Sequence, residues 1–226
     1  MRKTLITLGL VLSLAVPCFA QMKATPMEIK KDTEQGVFVA RYPHLAGETE
    51  QEKNAALRIN TTIKAVMNKL YSDVLDNWHK PAEGGKTAYV SKDIDYVITY
   101  DDENILSINF TDTFAQGDSK SLFIKDGMTF SKGSGKLLPW KRLARQEDKS
   151  KFTKDYLNGI LLNGAKRGDY VLYVGFVGLD KVPKNYYVDS TGTLHFQLNP
   201  GSVGPFTGGV VDIDTGCVTT DYIKEE

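Results

Sequence analysis

The segment IDYVITYDDENILSINFTDTF, residues 94–114, decides the fold. From Ile94 to Tyr100 and again from Ile105 to Phe114, apolar and polar residues alternate. That period of two is strand spacing, because successive side chains leave a strand on opposite faces. Asp101-Asp102-Glu103-Asn104 between the two runs is a cluster of turn formers, so the segment reads as a β-hairpin. A third run, SLFIKDGMTFS (121–131), continues the pattern, with Asp126-Gly127 inside it as a bulge or a tight turn. Gly133-Ser134-Gly135 then turns the chain into KLLPWKRLAR.

Working outward toward the N-terminus, GVFVARYPHLAG (36–47) has strand spacing and is stopped by Pro43 and Gly47. A long amphipathic helix is expected from about Gln51 to Trp78. Leu57, Ile59, Ile63, Val66, Met67, Leu70, Val74, Leu75 and Trp78 fall mostly three or four apart, which makes one apolar stripe suited to covering a sheet. Residues 21–35 are polar and read as a flexible lead-in, and residues 79–88 as a loop. Toward the C-terminus, a second helix is expected from about Asp148 to Ala165. Phe152, Tyr156, Ile160 and Leu161 would share one side, with Gly164 and Gly168 near its end. Strand signals return in YVLYVGFVGL (170–179), in NYYVDSTGTLHFQLN (185–199) with a turn at 189–192, and in GGVVDIDTG (208–216). The expected fold class is α+β: a mainly antiparallel sheet packed by one long N-terminal helix and a second, shorter one, in a single domain over 36–226.

Residues 1–20, MRKTLITLGLVLSLAVPCFA, read as a signal peptide cleaved before Gln21. Arg2 and Lys3 supply its positive end, and the apolar stretch from Leu5 to Val16 falls short of the roughly 18–20 residues that span a bilayer. The expectation is an exported protein, periplasmic or secreted, with no membrane span after cleavage. Loss of Arg2 and Lys3 would take the 28 basic residues two below the 28 acidic ones, a balance that argues against a nucleic-acid partner. Cys18 would leave with the signal, so Cys217 has no intrachain partner and the fold must rest on its own core.

No motif commits the chain to catalysis. His44, His79 and His195 belong to no metal-binding pattern and read as ordinary surface or half-buried histidines. Cys217 lies at the end of a predicted strand, without the local trace of an activated nucleophile. The carboxylates at Asp93/Asp95, Asp101/Asp102/Glu103 and Asp212/Asp214 suit turns and solvated strand faces, although paired carboxylates could also serve glycoside hydrolysis. GSGK at 133–136 lacks the rest of a phosphate loop. No cofactor is expected.

Four stretches in this order resemble the RsiV-like family of exported bacterial domains, known as domain of unknown function 3298. They are ARYPHLAG with NAALRINTTIKAVM, YVITYDDENILSINFTDTF, MTFSKGSGKLLPWKRL, and YYVDSTGTLHFQLNPGSVGPFTGGVVDID. The likeness spans most of residues 37–214. One departure stands out: where the family often has a Gly-Gly-Ala-His-type segment, this chain has AQGDSKS (115–121), in which only Gly117 matches. The resemblance implies a fold and a habit of binding at the cell envelope, with a lysozyme-like protein as partner in the best-known relatives. It does not imply an active site.

These readings meet at FQLNPGSVGPFTGGVVDID (196–214), where two strands are interrupted by prolines and glycines. Either the interruption is a structural crossover, or it presents a binding loop. In the second case the candidate partner-binding residues are Tyr186, Tyr187, Asn199, Pro200, Ser202, Pro205, Phe206 and Thr207. The functional expectation is a non-catalytic envelope protein that binds a lysozyme-like protein or cell-wall glycan (peptidoglycan). The alternative is a cell-wall polysaccharide hydrolase or deacetylase using Asp93, Asp95, Asp212 and Asp214.

Overall fold

A computed structural model describes residues 22–78, 89–117 and 120–219. The expected signal segment, the 79–88 loop and His79 lie outside the described residues. The chain forms strands β1 (Lys23–Thr33) and β2 (Gly36–Ala46), helix α1 (Glu50–Trp78), and strands β3 (Val90–Asp101), β4 (Ile105–Gln116) and β5 (Leu122–Ser131). Helix α2 (Lys154–Arg167) and strands β6 (Tyr186–Val188), β7 (Thr193–Leu198) and β8 (Val211–Val218) complete it. One sheet has the order β1-β2-β3-β4-β5 and a second the order β6-β7-β8. All pairings are antiparallel except β2 with β3, which α1 joins as a crossover. This is the α+β class with a mainly antiparallel sheet.

The β3–β4 hairpin forms as its alternation predicts, pairing Tyr96 with Phe110 and Ile98 with Ile108. Asp102 closes its turn by accepting from the backbone N–H groups of Asn104 and Ile105, at 2.8 and 2.7 Å. Ile94, Ile108, Phe110 and Met128 share one face of the sheet and pack on Ile59, Ile63 and Met67 of α1. Full burial of an aliphatic side chain of this size is worth about 1.5–3 kcal/mol. The helix begins with a reciprocal cap. Thr49 Oγ1 accepts from Glu52 N–H, and the Glu52 carboxylate accepts from the N–H groups of Glu48 and Thr49. Leu57, expected in the stripe, is exposed instead.

Three local expectations are corrected. Residues 23–33 are not a loose lead-in but edge strand β1, paired along its length with β2. Strand β2 does not stop at Pro43. There it has β1 alone as a neighbour, Pro26 opposite Pro43, and α1 supplies the missing ladder partner: Asn60 accepts from Leu45 N–H and donates to Leu45 C=O, both at 2.8 Å. The pair Asp126-Gly127 is neither bulge nor turn, because β5 runs through it in unbroken register with β4. Gly127 serves a close approach. A Cβ there would lie 1.9 Å from the carbonyl oxygen of Tyr186, so the second sheet can cross the face of the first opposite α1 only where the side chain is absent. Ser107 and Thr129 face the same junction, and Ser107 Oγ accepts from Val188 N–H at 3.0 Å.

Helix α2 covers a second core containing Leu157, Leu161, Phe196, Leu198 and Ile213. It starts later than expected because Thr153, not Asp148, is its N-cap, and it ends at Gly168, whose φ of 85° makes the left-handed cap. Its buried face carries Leu157 and Leu161, while Tyr156 is exposed. Residues 170–179, expected as a strand, join neither sheet.

Candidate functional site

The punctuation between β7 and β8 builds a defined loop. Asn199-Pro200-Gly201-Ser202 is a β-turn closed by Ser202 N–H donating to Asn199 C=O at 3.0 Å. Pro200 suits the second position of such a turn, and Gly201, with φ of 84°, suits the third. The Asn199 side chain accepts from Lys125 N–H at 2.9 Å, which ties the loop to β5. Asn185, just before β6, holds the second sheet to the same strand by accepting from Gly127 N–H and donating to Lys125 C=O. Val203 is buried beneath the loop, and a short 3-10 turn follows at Phe206–Gly208.

The other side of the loop is open. Pro200, Phe206 and Thr207 form one wall of a groove of about 530 Å³, and Phe114, Lys120 and Phe123 stand across from them on the β4–β5 hairpin. Phe206 is 65% exposed, and its ring lies over Gly201, where a Cβ would come within 2.7 Å of it. Aromatic planes beside an ammonium, a side-chain amide (Gln116) and hydroxyls (Ser121, Thr207) make a groove with apolar walls and a few polar handles, the usual composition of a ligand site. Gly117 ends β4 with φ of 55°; residues 118 and 119 lie outside the described residues.

The candidate residues divide. Pro200, Phe206 and Thr207 meet at the groove. Ser202 is exposed and Pro205 half-buried in the same loop, while the side-chain oxygen of Asn199 is taken by Lys125 N–H. Tyr186 is corrected: it is 5% exposed within the second core, its hydroxyl donates to Leu138 C=O, and burial holds that phenol well above its ordinary pKa. Tyr187 belongs to a separate cluster on the outer face of the second sheet. Its ring stacks on His195 at 5.0 Å and its hydroxyl donates to Asp212 at 2.9 Å.

Sequence reasoning missed that cluster. His195 Nδ1–H donates to the other oxygen of Asp212 at 2.8 Å, and Nε2 lies 3.3 Å from Asp189. Burial alone would depress the histidine pKa, but Asp212, Asp214 and Asp189 outweigh it and hold the ring above its ordinary value. Burial and then Asp212 raise the Tyr187 phenol. The signal lay in the alternation: Tyr187, His195 and Asp214 are direct cross-strand neighbours once β6, β7 and β8 pair.

The remaining carboxylates of the hydrolase reading take structural partners. Arg41 lies 2.9 Å from Asp93 and 3.6 Å from Asp95 on the first sheet, and Asp214 accepts from Gly216 N–H at 2.7 Å on the second. Asp101 pairs with the buried Lys132 at 2.8 Å. Cys217 is buried, which raises its thiol pKa. Among the described residues no cluster of His, Cys, Asp or Glu could hold a metal ion.

A helix-covered five-stranded sheet, crossed on its other face by a three-stranded sheet with its own helix, defines a two-sheet α+β domain. Two solved proteins that superpose on it carry the DUF3298 name. A member of the DUF3298 family from Bacteroides fragilis superposes with a TM-score of 0.57 at 13% identity, covering 87% of this chain and 90% of that one. A DUF3298 family protein from Pseudomonas aeruginosa gives 0.54 at 7% identity, covering 92% and 97%. No family model matches the chain. At these identities the likeness is one of fold, and the chain has a DUF3298-type fold.

Proposed function

We propose that the protein is a non-catalytic binding domain of the cell envelope, which takes a lysozyme-like protein or a cell-wall glycan at the groove between the 199–210 loop and the β4–β5 hairpin. The observation that supports this reading is Phe206: a large aromatic side chain, 65% exposed, on a loop whose backbone is pinned by Asn199 and Val203. A rigid loop holding out an aromatic ring loses little entropy when a partner covers it. The RsiV-like resemblance adds the class of partner, and the expected signal peptide adds the place. The carboxylates on which a hydrolase reading would rest are engaged by Arg41, His195, Tyr187 and Gly216.

The test is saturable binding to immobilised lysozyme and, in parallel, to soluble peptidoglycan fragments, each across a salt series. Phe206→Ala should weaken the productive interaction about tenfold or more, the scale of an interface hot spot, with the thermal midpoint unchanged. If the folded protein binds neither probe, or if Phe206→Ala binds as tightly as the wild type, the groove reading falls.

A further inference from the structure

Among the described residues, the segment 170–179 carries the two most exposed large apolar side chains. Val174 and Val177 are 106% and 97% exposed, and Val171 and Tyr173 are also exposed. Its ten residues contain no charge. Such exposure is not looseness, because the segment is held at several points. Tyr170 packs on Gly164 and donates its hydroxyl to Leu161 C=O at 3.0 Å. Tyr173 N–H donates to Val203 C=O at 2.9 Å, and Leu179 N–H donates to the Asn158 side chain at 2.7 Å. The two valines are thus presented by a fixed loop, and a contiguous apolar patch of this kind marks an interaction site.

Its surroundings identify the occupant. Asn158, where the segment docks on α2, lies on one ridge with Lys154, Leu162 and Lys166, each four residues apart. Leu162 is exposed and extends the apolar surface. Lys166 follows it one turn later, and Lys181 and Lys184 are exposed just beyond the segment. The one acid adjoining its start, Asp169, is bound by Arg167. Across 154–184, Lys154, Lys166, Arg167, Lys181 and Lys184 outnumber Asp155, Asp169 and Asp180, in a chain whose formal net charge is zero. Fully exposed aliphatic side chains flanked by exposed lysines match an anionic lipid surface, where aliphatic groups enter the acyl boundary and ammonium groups meet phosphates. Among the described residues no helix is long and apolar enough to cross a membrane, so the contact would lie on the bilayer rather than span it.

We propose that the 170–179 loop, with Leu162 and the flanking lysines, docks the protein onto an anionic membrane surface. None of these residues lines the groove at Phe206, although the loop touches the 199–210 loop through Tyr173. The experiment is co-sedimentation of the full chain with vesicles of phosphatidylcholine and phosphatidylglycerol at 3:1, and with phosphatidylcholine alone. The segment 1–20 is itself apolar, so the decisive comparison is between wild type and a Val174→Asp/Val177→Asp variant with the same N-terminus. Wild type should bind the anionic vesicles at least tenfold more strongly than the variant, and the binding should weaken with added salt. A Lys181→Glu/Lys184→Glu variant, which leaves the valines in place, should lose binding to the anionic vesicles alone. Equal sedimentation of wild type and the valine variant overturns the proposal. So does binding indifferent to phosphatidylglycerol, or a finding by light scattering that the valine substitutions dissolve a dimer.

Discussion

Two neighbouring loops, 170–179 and 199–210, invert what their compositions suggest. Apart from Gly175 and Gly178, the first is built of Val, Leu, Tyr and Phe, residues that favour strands. It joins no sheet, and it leaves two valines in solvent. The second is broken by Pro200, Pro205 and several glycines, yet it is held in one shape by its β-turn, its bond to Lys125 and the buried Val203. They meet directly: Tyr173 N–H donates to Val203 C=O, and Gly204 lies against Val171 C=O. The difference teaches that β-propensity describes how well a side chain fits a pleated surface, not whether a partner strand is present. Glycines at 175 and 178, with φ of 81° and 118°, take the first loop out of the extended conformation.

The largest expected effect comes from forcing the two loops apart. A Cβ at Gly204 would lie 2.0 Å from Val171 C=O, a backbone atom with little room to yield. Gly204→Val should therefore cost about 3 kcal/mol, measured by urea unfolding. An unchanged midpoint would show that the loops are not packed as described. Asn199→Ala should cost about 1–2 kcal/mol by leaving the Lys125 N–H without its acceptor, and the Lys125 amide should lose protection in hydrogen exchange. Tyr170→Phe removes the hydroxyl that holds the start of the 170–179 segment on α2 and should cost about 1 kcal/mol in the same assay.

A smaller effect concerns the sheet from which the second loop emerges. The His195 pKa is raised in the folded protein, so protonation favours folding. That contribution is complete below the ordinary histidine value, near pH 6.5, and is lost as pH rises through the raised value. Unfolding midpoints should fall modestly from pH 6 to pH 8, and His195→Gln should flatten that part of the profile. The smallest change in stability is expected for Phe206→Ala, within about 0.5 kcal/mol, because the ring is largely in solvent.

The readable parts of this chain were those whose burial repeats locally. The stripe through Ile59, Ile63 and Met67 announced α1, the alternation of 94–114 announced the hairpin, and Gly168 marked the end of α2. Strand β1 was illegible because nearly all its residues are exposed on both faces, so no alternation distinguishes it from a loose polar segment. Gly127 was misread because its reason lies far away in sequence, at Tyr186. Of the candidate site, Pro200, Phe206 and Thr207 could be picked out from their loop, while Phe114, Lys120 and Phe123 could not, since nothing local says which hairpin end will face that loop.

The sequence by itself determined the helix and hairpin periods, the turn residues and the α+β class. Only the tertiary structure decided that 23–33 pairs and 170–179 does not, that the second sheet crosses the first at Gly127, and that His195 sits between two aspartates. The physical reason is that side-chain periodicity records which face of a segment is buried. Strand partners are joined through backbone groups that are the same in every residue but proline, so the choice among them is made only when the whole chain packs.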